Sequence, residues 1–153
     1  HGRKPSRCGD GVSIREAVEG DIPALVEMGS KFHGMATDYH ALGRFDEEAV
    51  ARVLRFMIAN PSCLIVTNGE GAIGGTVVPV FFAPTNLSME ENFWWAAKGG
   101  MELLAEFERR SASMGAAAVF LSTLENDRSD TFAKILARKG YRLSERRYMK
   151  GLS

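Results

Sequence analysis

Glu91-Asn-Phe-Trp-Trp-Ala-Ala-Lys-Gly-Gly-Met-Glu-Leu-Leu-Ala-Glu-Phe-Glu108 is the stretch on which the fold turns. An aromatic strand runs through a glycine pair directly into an amphipathic helix. Backbone N–H groups in the first turn of such a helix lack intrahelical partners, and the helix dipole adds roughly half a positive charge there. The junction therefore reads as an anion site, suited to a pyrophosphate. The same Gly-Gly also reads as a flexible helix start with no ligand.

On the C-terminal side, the spacing predicts a helix from Gly99 to Met114 with Gly115 as C-cap, then Ala116 to Thr123 as a continuous apolar run typical of a buried central strand. Asn126 to Ser129 supply cap residues for a helix that carries Phe132, Ile135 and Leu136 on one face and ends at Gly140. Tyr141 to Lys150 is expected to be the last strand. On the N-terminal side, Cys63 to Thr67 and Ala72 to Phe82 flank the turn Asn68-Gly69-Glu70-Gly71 and form a β-hairpin. Gly74-Gly75 predicts a bulge or a close approach, and Pro79 an interruption. Residues Ala83 to Asn86 turn the chain into Met89 to Trp95.

Further back, Asp46 caps a helix with Val50, Val53, Leu54 and Met57 on one face, ended by Asn60-Pro61. Asp21 is the expected N-cap, with Pro23 in the first turn, of a helix that runs to about Phe32. Val12 to Val18 reads as a half-buried strand, and Gly2 to Gly11 as a disordered leader or a cloning remnant. Between Phe32 and Asp46 a segment without period carries His33, Tyr39 and His40. Such loops often line a site, although these residues also suit an ordinary surface. No metal is expected there, because His33 and His40 do not share a helical face and no Cys cluster accompanies them.

The order β, α, α, β, β, β, α, β, α, β predicts an α/β (α+β) domain over residues 12–153: a mixed, mostly antiparallel sheet of about six to seven strands flanked by four helices. With 153 residues and 45% apolar content, one domain is large enough to bury a core. The 19 basic and 19 acidic side chains cancel, which leaves no global charge for gripping nucleic acid. Two cysteines, Cys8 and Cys63, read as a reducing compartment. No apolar run approaches the roughly 18 residues of a membrane span, so a cytoplasmic protein with no membrane partner is expected.

This order of elements, the glycine-opened helix after the fourth strand and the Gly140-Tyr141 junction resemble the GCN5-related N-acetyltransferase family over about Val12 to Leu152. More narrowly, Phe32-His33 with Tyr39, the helix Glu47 to Arg55, Phe81-Phe82 and Glu91 to Trp95 are similar to phage-type members.

The resemblance implies acetyl-coenzyme A as cosubstrate and transfer to a small-molecule or peptide amine. It places the pyrophosphate on Ala97-Lys98-Gly99-Gly100-Met101, where the family's Arg/Gln-x-x-Gly-x-Gly/Ala pattern is shortened and Glu102 opposes an anion. Trp95 and Ala96 would polarise the thioester through backbone N–H, and Asn126 and Ser129 match the cofactor-contacting positions. Glu91 matches the general base, acting through water, while Glu90 points to the other face. His33, Tyr39, Phe81, Phe82 and Trp94 would form the acceptor wall. The family's proton-donating tyrosine is replaced by Leu136; among Tyr39, Tyr141 and Tyr148, the last is assigned beside Glu91 as catalytic. Exposed Phe81-Phe82 and the final strand are compatible with a homodimer. A non-catalytic acyl-CoA sensor or interaction module on the same fold is the alternative.

Overall fold

The computed structural model of the chain describes residues 13–152; the leader expected over Gly2 to Gly11 lies outside them. The elements are β1 (Arg15–Glu16), a 3-10 turn (Glu19–Asp21), α1 (Ile22–Met35), a 3-10 stretch (Thr37–Leu42), α2 (Glu47–Ala59), β2 (Cys63–Thr67), β3 (Gly71–Val80), β4 (Ala83–Ala96), α3 (Gly100–Ser113), β5 (Ala116–Phe120) and α4 (Ser129–Arg138). The sheet order is β1-β2-β3-β4-β5. Three pairings are antiparallel, and β4 with β5 is parallel.

The mixed, mostly antiparallel sheet with four α-helices matches the expected class. The strand count does not: the sheet has five strands among the described residues, not six to seven. The shortfall is at the C-terminus, where Tyr141 to Lys150 pairs with no strand among the described residues. Half of that segment is charged, and Leu143 and Met149 are exposed. As a consequence β5 is an edge strand, with Ala117, Ala118 and Phe120 exposed, rather than the buried central strand expected. The strands buried on both faces are β2 and the first half of β3.

Side-chain alternation in β2 builds two cores. Ile65 packs on the α1/α2 side with Leu25, Leu54 and Met57. Leu64 and Val66 pack on the other side with Met89, Leu103, Leu104 and Phe107. Burying the side chain of a residue such as Phe107 or Leu25 contributes roughly 1.5–3 kcal/mol.

Local signals explain most boundaries. The Asp46 carboxylate accepts from the Ala49 N–H at 2.9 Å, capping α2. Asp21 does not cap α1 with its side chain; it accepts from Val18 N–H and takes the Arg15 guanidinium at 2.7 and 2.8 Å. Salt-bridging by Arg15 outcompetes the cap, and α1 continues to Met35. Gly69 at φ 84 turns the β2–β3 hairpin, with the Thr67 hydroxyl donating to the Gly71 carbonyl.

β4 carries the irregularity that makes the site. Gly74 pairs with Phe93 and Gly75 with Glu91, leaving Asn92 as the extra residue of a β-bulge. The bulge shifts the phase of the strand: Met89 lies in the α3-side core, yet Phe93 packs on the α1/α2 side and Trp94 on the α3 side. Both glycines are required. The Phe93 ring lies over Gly74, and a Cβ at Gly75 would sit 2.5 Å from the Glu90 carbonyl oxygen and 2.9 Å from Phe107. The ladder shifts again between Pro79 and Val80, the interruption expected of Pro79.

Candidate functional site

β4 and β5 pair only from Leu87 to Glu90. Beyond that point β4 continues to Ala96 while the chain after Phe120 departs, and the parting strands open a cleft of about 560 Å³ along the edge of β4. Its boundary comes from both faces of the sheet, because the bulge sends Phe93 and Trp95 one way and Trp94 the other.

On the α1 side the cleft has an aromatic wall. Phe93 stacks on Trp95 at 4.2 Å between centroids, Phe32 packs against Trp95 at 6.4 Å, and Phe45 sits by His33 at 5.7 Å. Gly29 permits this: a Cβ there would lie 2.8 Å from the Trp95 ring. His33 and Tyr39 line the cleft. His40 turns back, with its Nε2 2.7 Å from the His33 carbonyl oxygen. Among the described residues no cluster of His, Cys, Asp and Glu could hold a metal ion.

At the other end lie the start of α3 and the turn before α4. Gly99 is left-handed at φ 66, and Gly100 and Met101 open onto the cleft beside Ala96 and Trp94. Trp94 Nε1 is buried without a hydrogen-bond partner among the described residues, close to where a Gly100 side chain would project. Asn126 and Ser129 also line this end. Their polar atoms largely hold the turn: Ser129 Oγ accepts from Asn126 N–H at 2.7 Å and donates to the Leu124 carbonyl at 3.1 Å, and Asn126 Oδ1 accepts from Arg128 N–H.

Glu91 stands where the strands part. Burial pushes its carboxyl up to about 7, against the opposing pull of the Ser122 N–H donor and the charge of Arg147. Glu90, as expected, stays out of the cleft and accepts from the Ser88 hydroxyl at 3.1 Å.

Several expected positions fall elsewhere. Phe81 and Phe82 are 86% and 93% exposed at the tip of the β3–β4 hairpin. Nine residues of extended chain separate Phe82 from Glu91, about 30 Å, so neither reaches the acceptor wall. Tyr148 is 86% exposed and does not line the cleft. The unpaired segment presents its neighbour Arg147 to the cleft instead. Tyr141 donates to Glu108 at 2.8 Å, and burial with that carboxylate holds its phenol above the ordinary range. Ala97, Lys98 and Gly99 do not line the cleft. The Lys98 ammonium faces Glu70 at 3.7 Å, and its carbonyl accepts from Asn68, so the β2–β3 turn draws this residue away.

Arg147, Ser122, Phe93 and Arg128 line the cleft without having been singled out. Phe93 lay within the aromatic strand, but simple alternation misplaces it once the bulge shifts the phase. For Arg147 and Ser122 no local pattern exists, since tertiary folding alone brings them to Glu91.

No family model matches the sequence, nor does any curated protein. Solved structures do match in shape. An acetyltransferase of Trypanosoma brucei superposes with a TM-score of 0.65 at 16% identity, over 92% of this chain and 99% of that one. A GNAT family acetyltransferase of Staphylococcus aureus gives 0.63 at 17%, over 92% and 98%. A protein described as a transcriptional regulator of Bacillus halodurans gives 0.68 at 16%, over 92% and 99%. The chain has the fold these proteins share, a fold in which acetyltransferases recur.

Proposed function

We propose that the chain is an N-acetyltransferase that moves an acetyl group from acetyl-CoA to a primary amine, with Glu91 as general base through water. The carrying observation is Glu91 itself: a partly buried carboxyl, raised to about 7, in the cleft where β4 and β5 part. A base at that value is half ionised at neutral pH and can take a proton from an ammonium.

The residues at the far end suit the cosubstrate. Gly100 leaves room for close backbone approach, the first amides of α3 lack intrahelical partners, and Trp94 Nε1 is a buried donor in need of an acceptor. Gly100, Met101, Trp95, Ala96, Asn126 and Ser129 would hold it. Acetyl-CoA would supply an acyl carbon whose bond to sulfur breaks as the bond to the amine nitrogen forms. Glu91 accepts the proton that the amine gives up. The aromatic wall would flank the reacting carbon, and Tyr39, which lines the cleft, would return a proton to the thiolate. The narrower likeness to phage-type members rests on the residue pattern alone.

Calorimetric titration with acetyl-CoA, together with thiol release over a panel of amines, tests this reading; binding and turnover are expected. A second reading, a non-catalytic acyl-CoA sensor, is favoured by Leu136, which packs against the α3-side core at the position where the resemblance implies a tyrosine. Binding without turnover on any amine would favour the sensor, and absence of binding would remove both.

A further inference from the structure

Three chemistries line one cleft: the Glu91 carboxyl, a guanidinium from Arg147, and an aromatic face formed by Phe32, Phe45, Phe93 and Trp95. The charged side chains lining the cleft are Glu91, Arg128 and Arg147, so cations outnumber carboxylates there. A polycationic acceptor would meet repulsion. Arg128 adjoins Ser129 at the start of α4 and belongs to the far end. Arg147 acts on Glu91 electrostatically. Glu91 to Ala96 is about 16 Å of extended strand, which separates Arg147 from the α3 N-terminus where a pyrophosphate would lie. No ion pair neutralises Arg147 among the described residues.

We propose that Arg147 is a specificity residue and that the acceptor is an amine bearing a carboxylate and an apolar side chain, as in an apolar amino acid. The amine addresses Glu91, the carboxylate takes the Arg147 guanidinium, and the apolar group lies on the aromatic wall. This rests on the acetyl-transfer reading and names its substrate class. The reaction balances: the ammonium loses one proton to Glu91, the N–C bond forms as the C–S bond breaks, and the second proton that the nitrogen gives up goes to the departing thiolate. Arg147 makes no bond to the reacting atoms; it holds the acceptor through a charge-assisted, fork-shaped contact.

The experiment measures acetyl-CoA-dependent thiol release on matched pairs that differ only in the carboxylate, L-phenylalanine against 2-phenylethylamine and L-leucine against isopentylamine. The native chain is expected to prefer the carboxylate member by about 10- to 100-fold in kcat/KM, carried mainly by KM. Arg147→Gln is expected to abolish that preference, and Arg147→Lys to restore part of it. Arg147 is exposed in a segment without regular structure, so these variants should fold. Equal use of both members, or a preference that survives in Arg147→Gln, would overturn the proposal while thiol release left acetyl transfer standing. Lost acetyl-CoA affinity in Arg147→Gln with the preference intact would assign Arg147 to the cosubstrate, and would also overturn it. No turnover of any pair would overturn it too, and the acetyl-CoA titration on the same sample then decides the broader reading.

Discussion

Glu91 joins stability and chemistry in one side chain, and the two run in opposite directions with pH. Its carboxyl is raised from 4.5 to about 7, so between those values the folded state binds a proton that the unfolded state has released. This group's contribution is therefore complete below about pH 4.5 and is lost as pH rises to about 7, by about 3 kcal/mol at most. Glu91→Gln should remove that loss. The variant is expected to melt later than the native chain at pH 8 and about equally at pH 4.5, as thermal unfolding at both values will show. Its acetyl-transfer rate should fall by about 100-fold or more, and the rising limb of kcat/KM near pH 7 should vanish. An unaltered profile would remove Glu91 from the mechanism. Glutamate at 91 was legible from the sequence, but the raised value was not, because burial is supplied by β5, Ser122 and the chain beyond. Tyr148 shows the converse: the right residue type stood one position from the side chain that faces the cleft.

β4 is the element that turns a regular sheet into a site, and its bulge depends on neighbours rather than on its own sequence. Gly75→Ala should destabilise the fold by roughly 1–3 kcal/mol, since the added Cβ meets a backbone oxygen that cannot swing away. Denaturant unfolding measures the cost. Gly29→Ala acts differently, because its Cβ meets the movable Trp95 ring at 2.8 Å. A smaller loss of stability, about 1 kcal/mol, should accompany a change in tryptophan fluorescence as the aromatic wall shifts. At the start of α3, Gly100→Asp should weaken acetyl-CoA binding by about tenfold or more, since it sets a carboxylate beside the free amides. Unchanged affinity in titration would move the anion elsewhere. The hairpin and the Asp46 cap were legible because a turn and a cap are satisfied within a few residues. The short β1 and the edge position of β5 were not, because pairing partners are chosen by the whole sheet.

At the scale of the molecule, a ligand that binds only the folded state should raise stability: saturation with acetyl-CoA at about 100 times its dissociation constant is worth about 2.7 kcal/mol, read as a rise in melting temperature. Such a ligand would bridge parts that the bare fold leaves apart, α3 on one side of the cleft and the turn before α4 on the other. The amino-acid sequence by itself determined the succession of helices and strands as far as α4, the hairpin turn and the glycine-opened α3. Local hydrogen bonding, backbone freedom and apolar period act over a few residues and need nothing else. Only the tertiary structure decided which strand lies at the edge, which way the aromatic residues of β4 point and which cation faces Glu91. Those depend on one extra residue in a ladder, on a C-terminal segment that finds no partner strand, and on long-range burial, and no short window of sequence contains them.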